Sequence, residues 1–213
     1  MVDSVAAEFA ERVIEAFLAR PSEFFSLVLS GGATARTCYE GLAEAGGAQI
    51  DWWRVDVYWG DERCVPLDHE DSNYRLGREA LLEKVGAVNA NFPMRCEDGP
   101  DRYHQLVGEV GQSHLGLGTD GHTASLFPDS PALDADPGRL VVMNEDPTGR
   151  NPHPRETLTF SGIDRARLAL VTVSGAEKAE AMAATVAGET PASRIRAEQV
   201  VWLVDREAAA LLS

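Results

Sequence analysis

The stretch Leu115-Gly116-Leu117-Gly118-Thr119-Asp120-Gly121-His122-Thr123-Ala124-Ser125-Leu126-Phe127-Pro128 constrains this chain more than any other. It opens as an apolar run, breaks into glycines, and at once presents Asp120, His122, Thr123 and Ser125. A buried strand that ends in Gly and polar groups is how open α/β sheets build sites, because ligands bind outside the carboxyl ends of the strands. The glycines at 118 and 121 suit a sharp turn. Asp120 and His122 stand two apart, so extended backbone projects both to the same side. A carboxylate beside an imidazole fixes its orientation and stabilises its protonated form. A tight turn with a capping Asp and a surface His would read the same way, and spacing alone leaves both readings open.

The rest of the chain repeats the theme of short apolar run, polar break and helix. Ser4 is placed to cap a first helix, with Val5, Phe9, Val13, Ile14 and Phe17 at helical spacing. Phe25 to Leu29 reads as a strand that runs into Ser30-Gly31-Gly32-Ala33-Thr34 and a helix to about Ala45. Such a junction is either a plain tight turn or a cradle in which backbone N–H groups and a helix N-terminus hold an anion. Val55 to Trp59 is a second strand, ending in Gly60-Asp61-Glu62-Arg63, and Ser72 is placed to cap a helix carrying Tyr74, Leu76, Leu81 and Leu82. Residues 85 to 113 read least clearly, with a loop expected from Asn89 to Pro93 and a short helix from Pro100 to Val110. Leu140 to Met143, Thr157 to Phe160, Leu168 to Val173 and Val200 to Val204 read as further strands. Asp146 to Pro154 is a long loop, either a lid or a connection. Ala176 to Ala187 reads as a helix with Lys178 in its first turn, where the helix dipole disfavours a cation; a bound anion or mere surface exposure would explain it. Asp205 is placed to cap a final helix.

Strands that alternate with helices over nearly the whole chain predict an α/β fold. The expected architecture is a mostly parallel, Rossmann-like sheet with helices on both faces, in a single domain over residues 1–213. The loops at 30–32, 61–63, 120–122 and 174–178 then converge on one rim if their strands are neighbours. The net charge of −15 repels nucleic acid and anionic membrane surfaces. It also repels anionic substrates, so a site for one needs its own local cations. Cys38, Cys64 and Cys96 are odd in number and lack CxxC spacing, which predicts free thiols in a reducing compartment. Met1 to Phe9 carries acids and lacks the form of a signal peptide, and no apolar run approaches the ~20 residues of a membrane span. The cytoplasm is the expected location.

Four segments in this order resemble the 6-phosphogluconolactonase family. They are Ser30-Gly31-Gly32-Ala33-Thr34, Trp59-Gly60-Asp61-Glu62-Arg63 with Asp71-Ser72-Asn73-Tyr74, the stretch Gly116 to Pro128, and Ser174-Gly175-Ala176-Glu177-Lys178-Ala179. The resemblance covers about residues 5 to 212. The family belongs to a larger group with glucosamine-6-phosphate deaminases, which share the Gly-Gly loop, the D-G-H loop and the Lys. Arg63 after Asp61-Glu62, and Thr123 to Pro128 in place of the deaminase continuation, are similar to the lactonase side. Ala35 stands where Pro is common. His114 and the short region 90–113 replace a more apolar strand start and a longer helix.

The resemblance implies hydrolysis of 6-phospho-D-glucono-1,5-lactone to 6-phospho-D-gluconate, a step of the oxidative pentose phosphate pathway. That reaction needs a water, a base and stabilisation of charge at the carbonyl oxygen. It requires no cofactor and no metal. His122 is the expected general base, since imidazole titrates near the working pH of the cytosol, with Asp120 to orient it. Ser30 and Ser125 lack a nucleophile elbow. A zinc site of Asp120, His122 and a third His lacks metal-ligand spacing. The resemblance assigns the phosphate to Ser30, Gly31, Gly32, Thr34, Arg155 and Lys178. It leaves Arg63 either on the phosphate or on the carbonyl, with Asp61 to orient Arg63. The expected partner is a small sugar-phosphate lactone, with no nucleic acid and no membrane; oligomeric state cannot be read. The competing readings are a deaminase or isomerase of amino-sugar phosphates and a non-catalytic sugar-phosphate sensor.

Overall fold

Runs of four to eight apolar residues cross a sheet once and are too short for a helix with its own hydrogen-bond ladder. The computed structural model describes residues 1–108 and 110–212. Its strands are β1 (Phe25–Leu29), β2 (Val55–Trp59), β3 (Asp61–Arg63), β4 (Ala90–Phe92), β5 (Val110–Gly116), β6 (Val141–Asn144), β7 (Arg155–Leu158), β8 (Ala166–Val173) and β9 (Gln199–Val204). Between and before them lie α1 (Val5–Leu18), α2 (Ala33–Gly46), α3 (Asn73–Gly77), α4 (Glu83–Val85), α5 (Pro100–Leu106), α6 (Phe160–Ile163) and α7 (Ala179–Val186).

Six strands pair in parallel in the order β4-β2-β1-β5-β8-β9, while β3, β7 and β6 form a separate antiparallel sheet. The chain runs from β1 outward to β2 and β4, then returns to β5 and runs outward again to β8 and β9. The crevice between the ends of β1 and β5 is therefore a topological switch point, where such sheets bind ligands. Side chains alternate across a strand. Gln112 and His114 of β5 face away from Ser113 and Leu115, and all four are 1% exposed or less. The sheet is thus covered on both faces, as its apolar runs require.

α1 and α3 begin where the sequence sets them. The Ser4 hydroxyl accepts from the Ala7 N–H at 3.2 Å and caps α1, which buries Val5, Phe9, Val13, Ile14 and Phe17. Each such side chain contributes about 1.5–3 kcal/mol on burial. The Ser72 hydroxyl accepts from the Arg75 N–H at 3.1 Å and starts α3.

Several expectations need correction. Asn89 to Pro93 is not all loop: Ala90–Phe92 pairs with β2 as an edge strand too short to show a pattern. The expected strand at Thr157 to Phe160 begins two residues earlier, and the Thr159 side chain instead caps α6. The short helix from Pro100 ends at Leu106, and Glu109 lies outside the described residues. Asp205 caps a turn in place of a helix, with its carboxylate accepting from the Ala208 N–H at 2.8 Å. The cysteines are not all free. Cys64 and Cys96 form a disulfide with their Cα atoms 5.4 Å apart, and only Cys38 is a free, buried thiol among the described residues. The end of β3 and the turn after β4 converge in space, which a spacing of 32 residues does not reveal. The inference from cysteine count to a reducing compartment loses its ground. No helix among the described residues is long and apolar enough to cross a membrane.

Candidate active site

The loops that leave β1 and β5 form two walls of one cleft of about 240 Å³, closed by residues from β3, β7 and the turn after β8. β1 delivers Ser30, Gly31 and Gly32. Gly32 has φ 97°, a region that favours glycine, and stands as N-cap of α2 with no side-chain cap. The first N–H groups of this 14-residue helix are left for an anion, and the helix dipole favours one there. Thr34 does not line this cleft. It lies in an adjoining one of about 200 Å³ that shares Gly31, Gly32 and Lys178.

β5 delivers the acid–imidazole pair. The Gly118 N–H donates to the His122 carbonyl at 2.8 Å and the Gly121 N–H to the Gly118 carbonyl at 3.0 Å, which closes the turn. Asp120 Oδ1 accepts from the His122 N–H at 3.1 Å and meets His122 Nδ1 at 2.5 Å. A carboxylate only accepts, so Nδ1 carries the proton and Nε2 of the neutral ring keeps its lone pair. A Cβ at Gly118 would collide with Nδ1 of His122 and Oδ1 of Asp120, so glycine is what admits the pair. Burial raises the Asp120 carboxyl, but the hydrogen bonds and charge of His122 outweigh it and hold the group below its ordinary value.

The small antiparallel sheet delivers two cations. Its register sets Arg63 opposite Arg155, and like charges directly opposite destabilise one another. Arg63 Nη1 donates to the Asp71 carbonyl at 2.6 Å, and Arg155 Nη2 to the Pro152 carbonyl at 3.0 Å. The ε-nitrogen of each is buried with no partner among the described residues. Burial and the Arg63 charge lower the Arg155 pKa, yet a guanidinium stays charged in proteins. Lys178 closes a one-turn 3₁₀ segment before α7, and Ser174 and Gly175 ahead of it are held by Asp205 at 2.5 and 3.0 Å. Among the described residues Arg63, Arg155 and Lys178 form no ion pair with a carboxylate. Three such cations at one cleft, in a chain of net charge −15, suit an anionic ligand.

The expected pairing of Asp61 with Arg63 is absent. Asp61 Oδ2 accepts from the Ser125 hydroxyl at 2.6 Å and Oδ1 from the Asn73 amide at 3.2 Å. The Asp71 carbonyl takes the orienting place instead. In sequence Glu62 reads only as part of a motif, but it ties that motif together. Its buried carboxylate accepts from the N–H groups of Arg63, Asn73 and Tyr74, each at 2.7 Å, and from the Ser72 hydroxyl at 3.0 Å. Burial raises its pKa and these donors offset that only in part. Asn151 also lines the cleft, unannounced by any motif. The Asp146 carboxylate positions it by accepting from its N–H at 2.9 Å and its amide at 2.8 Å, and also from Thr148. The D-x-T spacing of Asp146 and Thr148 was the local signal for that turn. Among the described residues no three His, Cys, Asp or Glu side chains gather as a metal-binding group.

The chain is similar to known proteins over most of its length. A curated 6-phosphogluconolactonase of Synechocystis is 37% identical over 206 residues, which covers 86% of this chain and 82% of that protein. The 6-phosphogluconolactonase of Mycobacterium tuberculosis is 35% identical and covers 87% of this chain and 84% of that one. A solved 6-phosphogluconolactonase from Thermotoga maritima superposes with a TM-score of 0.82 at 29% identity, covering 96% of each chain. The profile of glucosamine-6-phosphate isomerases and 6-phosphogluconolactonases matches residues 1–202. The chain belongs to that family, the glucosamine-6-phosphate isomerase/6-phosphogluconolactonase family.

Proposed function

We propose that this chain, as one domain over residues 1–213, hydrolyses 6-phospho-D-glucono-1,5-lactone to 6-phospho-D-gluconate in the oxidative pentose phosphate pathway. The observation that carries the reading is one cleft holding both an oriented imidazole and three cations without carboxylate partners. His122 Nε2 takes a proton from water as the water oxygen attacks the lactone carbonyl carbon. Arg63 faces the charge that develops on the carbonyl oxygen. The ring ester bond then breaks, and the imidazolium returns its proton to the departing ring oxygen. Asp120 stabilises the imidazolium meanwhile. Ser30, Gly31, Gly32, Arg155 and Lys178 hold the phosphate, with Thr34 at the edge of that subsite. Asp61 acts on Ser125 and Asn73, as a support of the cleft wall. The base and the cations suffice for ester hydrolysis without a metal or cofactor, and neither nucleic acid nor membrane takes part. A cytoplasmic setting suits a phosphorylated substrate that does not cross membranes; the Cys64–Cys96 disulfide points the other way.

The direct test is hydrolysis of the lactone with and without its 6-phosphate, corrected for spontaneous hydrolysis. Release of ammonia from glucosamine 6-phosphate, with no lactone turnover, would place the chain on the deaminase side instead. Lys178→Ala is expected to raise KM about 10- to 100-fold with kcat little changed, because a phosphate contact is made about equally in ground and transition states. Turnover of the unphosphorylated lactone should hardly change. Equal loss on both substrates would make Lys178 structural. Activity is expected to survive exhaustive chelation; loss with EDTA that zinc restores would overturn the metal-free mechanism.

A further inference from the structure

His114 is one of three consecutive buried polar residues of β5, after Gln112 and Ser113, and the mechanism above does not use it. It sits on β5 at the middle of the parallel sheet and is 0% exposed. Its Nδ1 meets the Tyr39 hydroxyl at 2.8 Å and its Nε2 meets the Thr172 hydroxyl at 2.8 Å. Burial pushes the imidazole down to about 3, so the ring is neutral, with one donor and one acceptor. The Tyr39 hydroxyl gives its one proton to the Ser30 carbonyl, so Nδ1–H donates to Tyr39 and the Thr172 hydroxyl donates to Nε2. A buried polar group of this kind is costly unless it is fully satisfied, and satisfied networks fix a single arrangement.

The two partners lie under the two halves of the anion subsite. Tyr39 is on α2, the helix that follows the Gly31-Gly32 turn, and its side chain is also fully buried. Its hydroxyl accepts from the Ser30 N–H at 2.6 Å and donates to the Ser30 carbonyl at 3.1 Å. A trans peptide points its C=O and the next N–H in opposite directions. Holding the Ser30 carbonyl inward against Tyr39 therefore turns the Gly31 N–H outward, to the side of the cleft. Thr172 is on β8, two residues before Ser174 and the turn that carries Lys178.

We infer that His114 is a positioning residue for phosphate recognition, clamping Tyr39 and Thr172 so that the Ser30–Gly32 turn and the Lys178 turn hold one fixed separation. The inference rests on the assignment of the phosphate to those two turns. Apolar packing alone would fill the space at residue 114 without setting the Tyr39 hydroxyl. That hydroxyl would then be free to release the Ser30 peptide, and a carbonyl oxygen turned outward repels a phosphate.

The experiment compares His114→Leu, Tyr39→Phe, their double variant and Lys178→Ala on the phosphorylated and unphosphorylated lactones, with inorganic phosphate as competitive inhibitor. His114→Leu is expected to raise KM for the phosphorylated lactone and the inhibition constant for phosphate about tenfold, the scale of a lost buried hydrogen bond. kcat is expected to fall less than about threefold, and kcat/KM on the unphosphorylated lactone to hold within about twofold. Tyr39→Phe removes one oxygen from the same chain of bonds and should give the same pattern, with the double variant no worse than the poorer single one. Tyr39→Phe also carries the test if His114→Leu does not fold. A raised KM in Lys178→Ala beside an unchanged KM in His114→Leu and Tyr39→Phe overturns the clamp and leaves the phosphate assignment standing. An unchanged KM in Lys178→Ala overturns the phosphate assignment itself. Equal losses on both substrates in the His114 and Tyr39 variants overturn the clamp in favour of general support of the fold.

Discussion

His122→Ala is expected to lower kcat by about 10²–10⁴ while KM changes little, the scale on which a positioned general base acts. The motive is geometric. Asp120 fixes Nδ1 at 2.5 Å, so the other ring nitrogen is the one presented as an acceptor. Gly118 leaves room for the pair and for nothing larger. Removing the ring leaves the cations in place, so substrate still binds and water attacks without a base. Added imidazole should restore part of the rate in His122→Ala, because the cavity left by the ring admits it. Rates must be corrected for spontaneous lactone hydrolysis, which sets the floor. A variant with near wild-type kcat would remove His122 from the mechanism.

The acid–imidazole pair was legible because its determinants are local. Two residues at i and i+2, with glycines beside them, carry the geometry within six positions of sequence. The Ser30-Gly31-Gly32 turn was legible for the same reason, as were β1, β2, β8 and β9, whose apolar runs announce themselves; of β5 only the end at Leu115 and Gly116 was legible, because Gly111, Gln112, Ser113 and His114 break the apolar pattern. β4 was not, since a three-residue edge strand has no periodicity to read. Of the antiparallel sheet, β6 and part of β7 were foreseen as separate strands, while Asp61–Arg63 was expected as a loop and is β3. The pairing of Arg63 with Arg155 depends on the register of segments 92 residues apart in numbering (155 − 63), which no local pattern sets. The same limit explains why Asp71, rather than Asp61, holds Arg63, and why Cys64 finds Cys96. His114 stood out in sequence only as an oddity. Its meaning depends on Tyr39 and Thr172, which are 75 and 58 residues away in the chain.

Folding stability is expected to fall by roughly 3 kcal/mol between pH 4.5 and pH 8 through Glu156 alone, and Glu156→Gln is expected to abolish that loss. Glu156 lies on β7 directly opposite Glu62 of β3, is 0% exposed, and has no partner for either carboxyl oxygen among the described residues. Arg95 and Arg102 line a small cavity beside it, but their guanidiniums are drawn to Glu97 at 3.7 Å and Asp98 at 3.4 Å. Burial first, then the charges of Asp98, Glu97 and Glu62, push the Glu156 carboxyl up from 4.5 to about 7. The folded chain therefore keeps the proton longer than the unfolded chain does. The resulting stability is fully present below pH 4.5 and is lost as pH rises through about 7. One pKa unit is about 1.4 kcal/mol, which gives the expected size. Glu62 is coupled to Glu156 through its charge, so the difference between the two proteins reports Glu156 together with its effect on Glu62. Urea melts of both proteins from pH 5 to pH 8 would measure that difference. The two should be close in stability at pH 5, and Glu156→Gln should be the more stable at pH 8. Parallel pH profiles would mean that Glu156 is ionised and satisfied in the folded protein. The backbone of β7 would then carry no such load beneath Arg155.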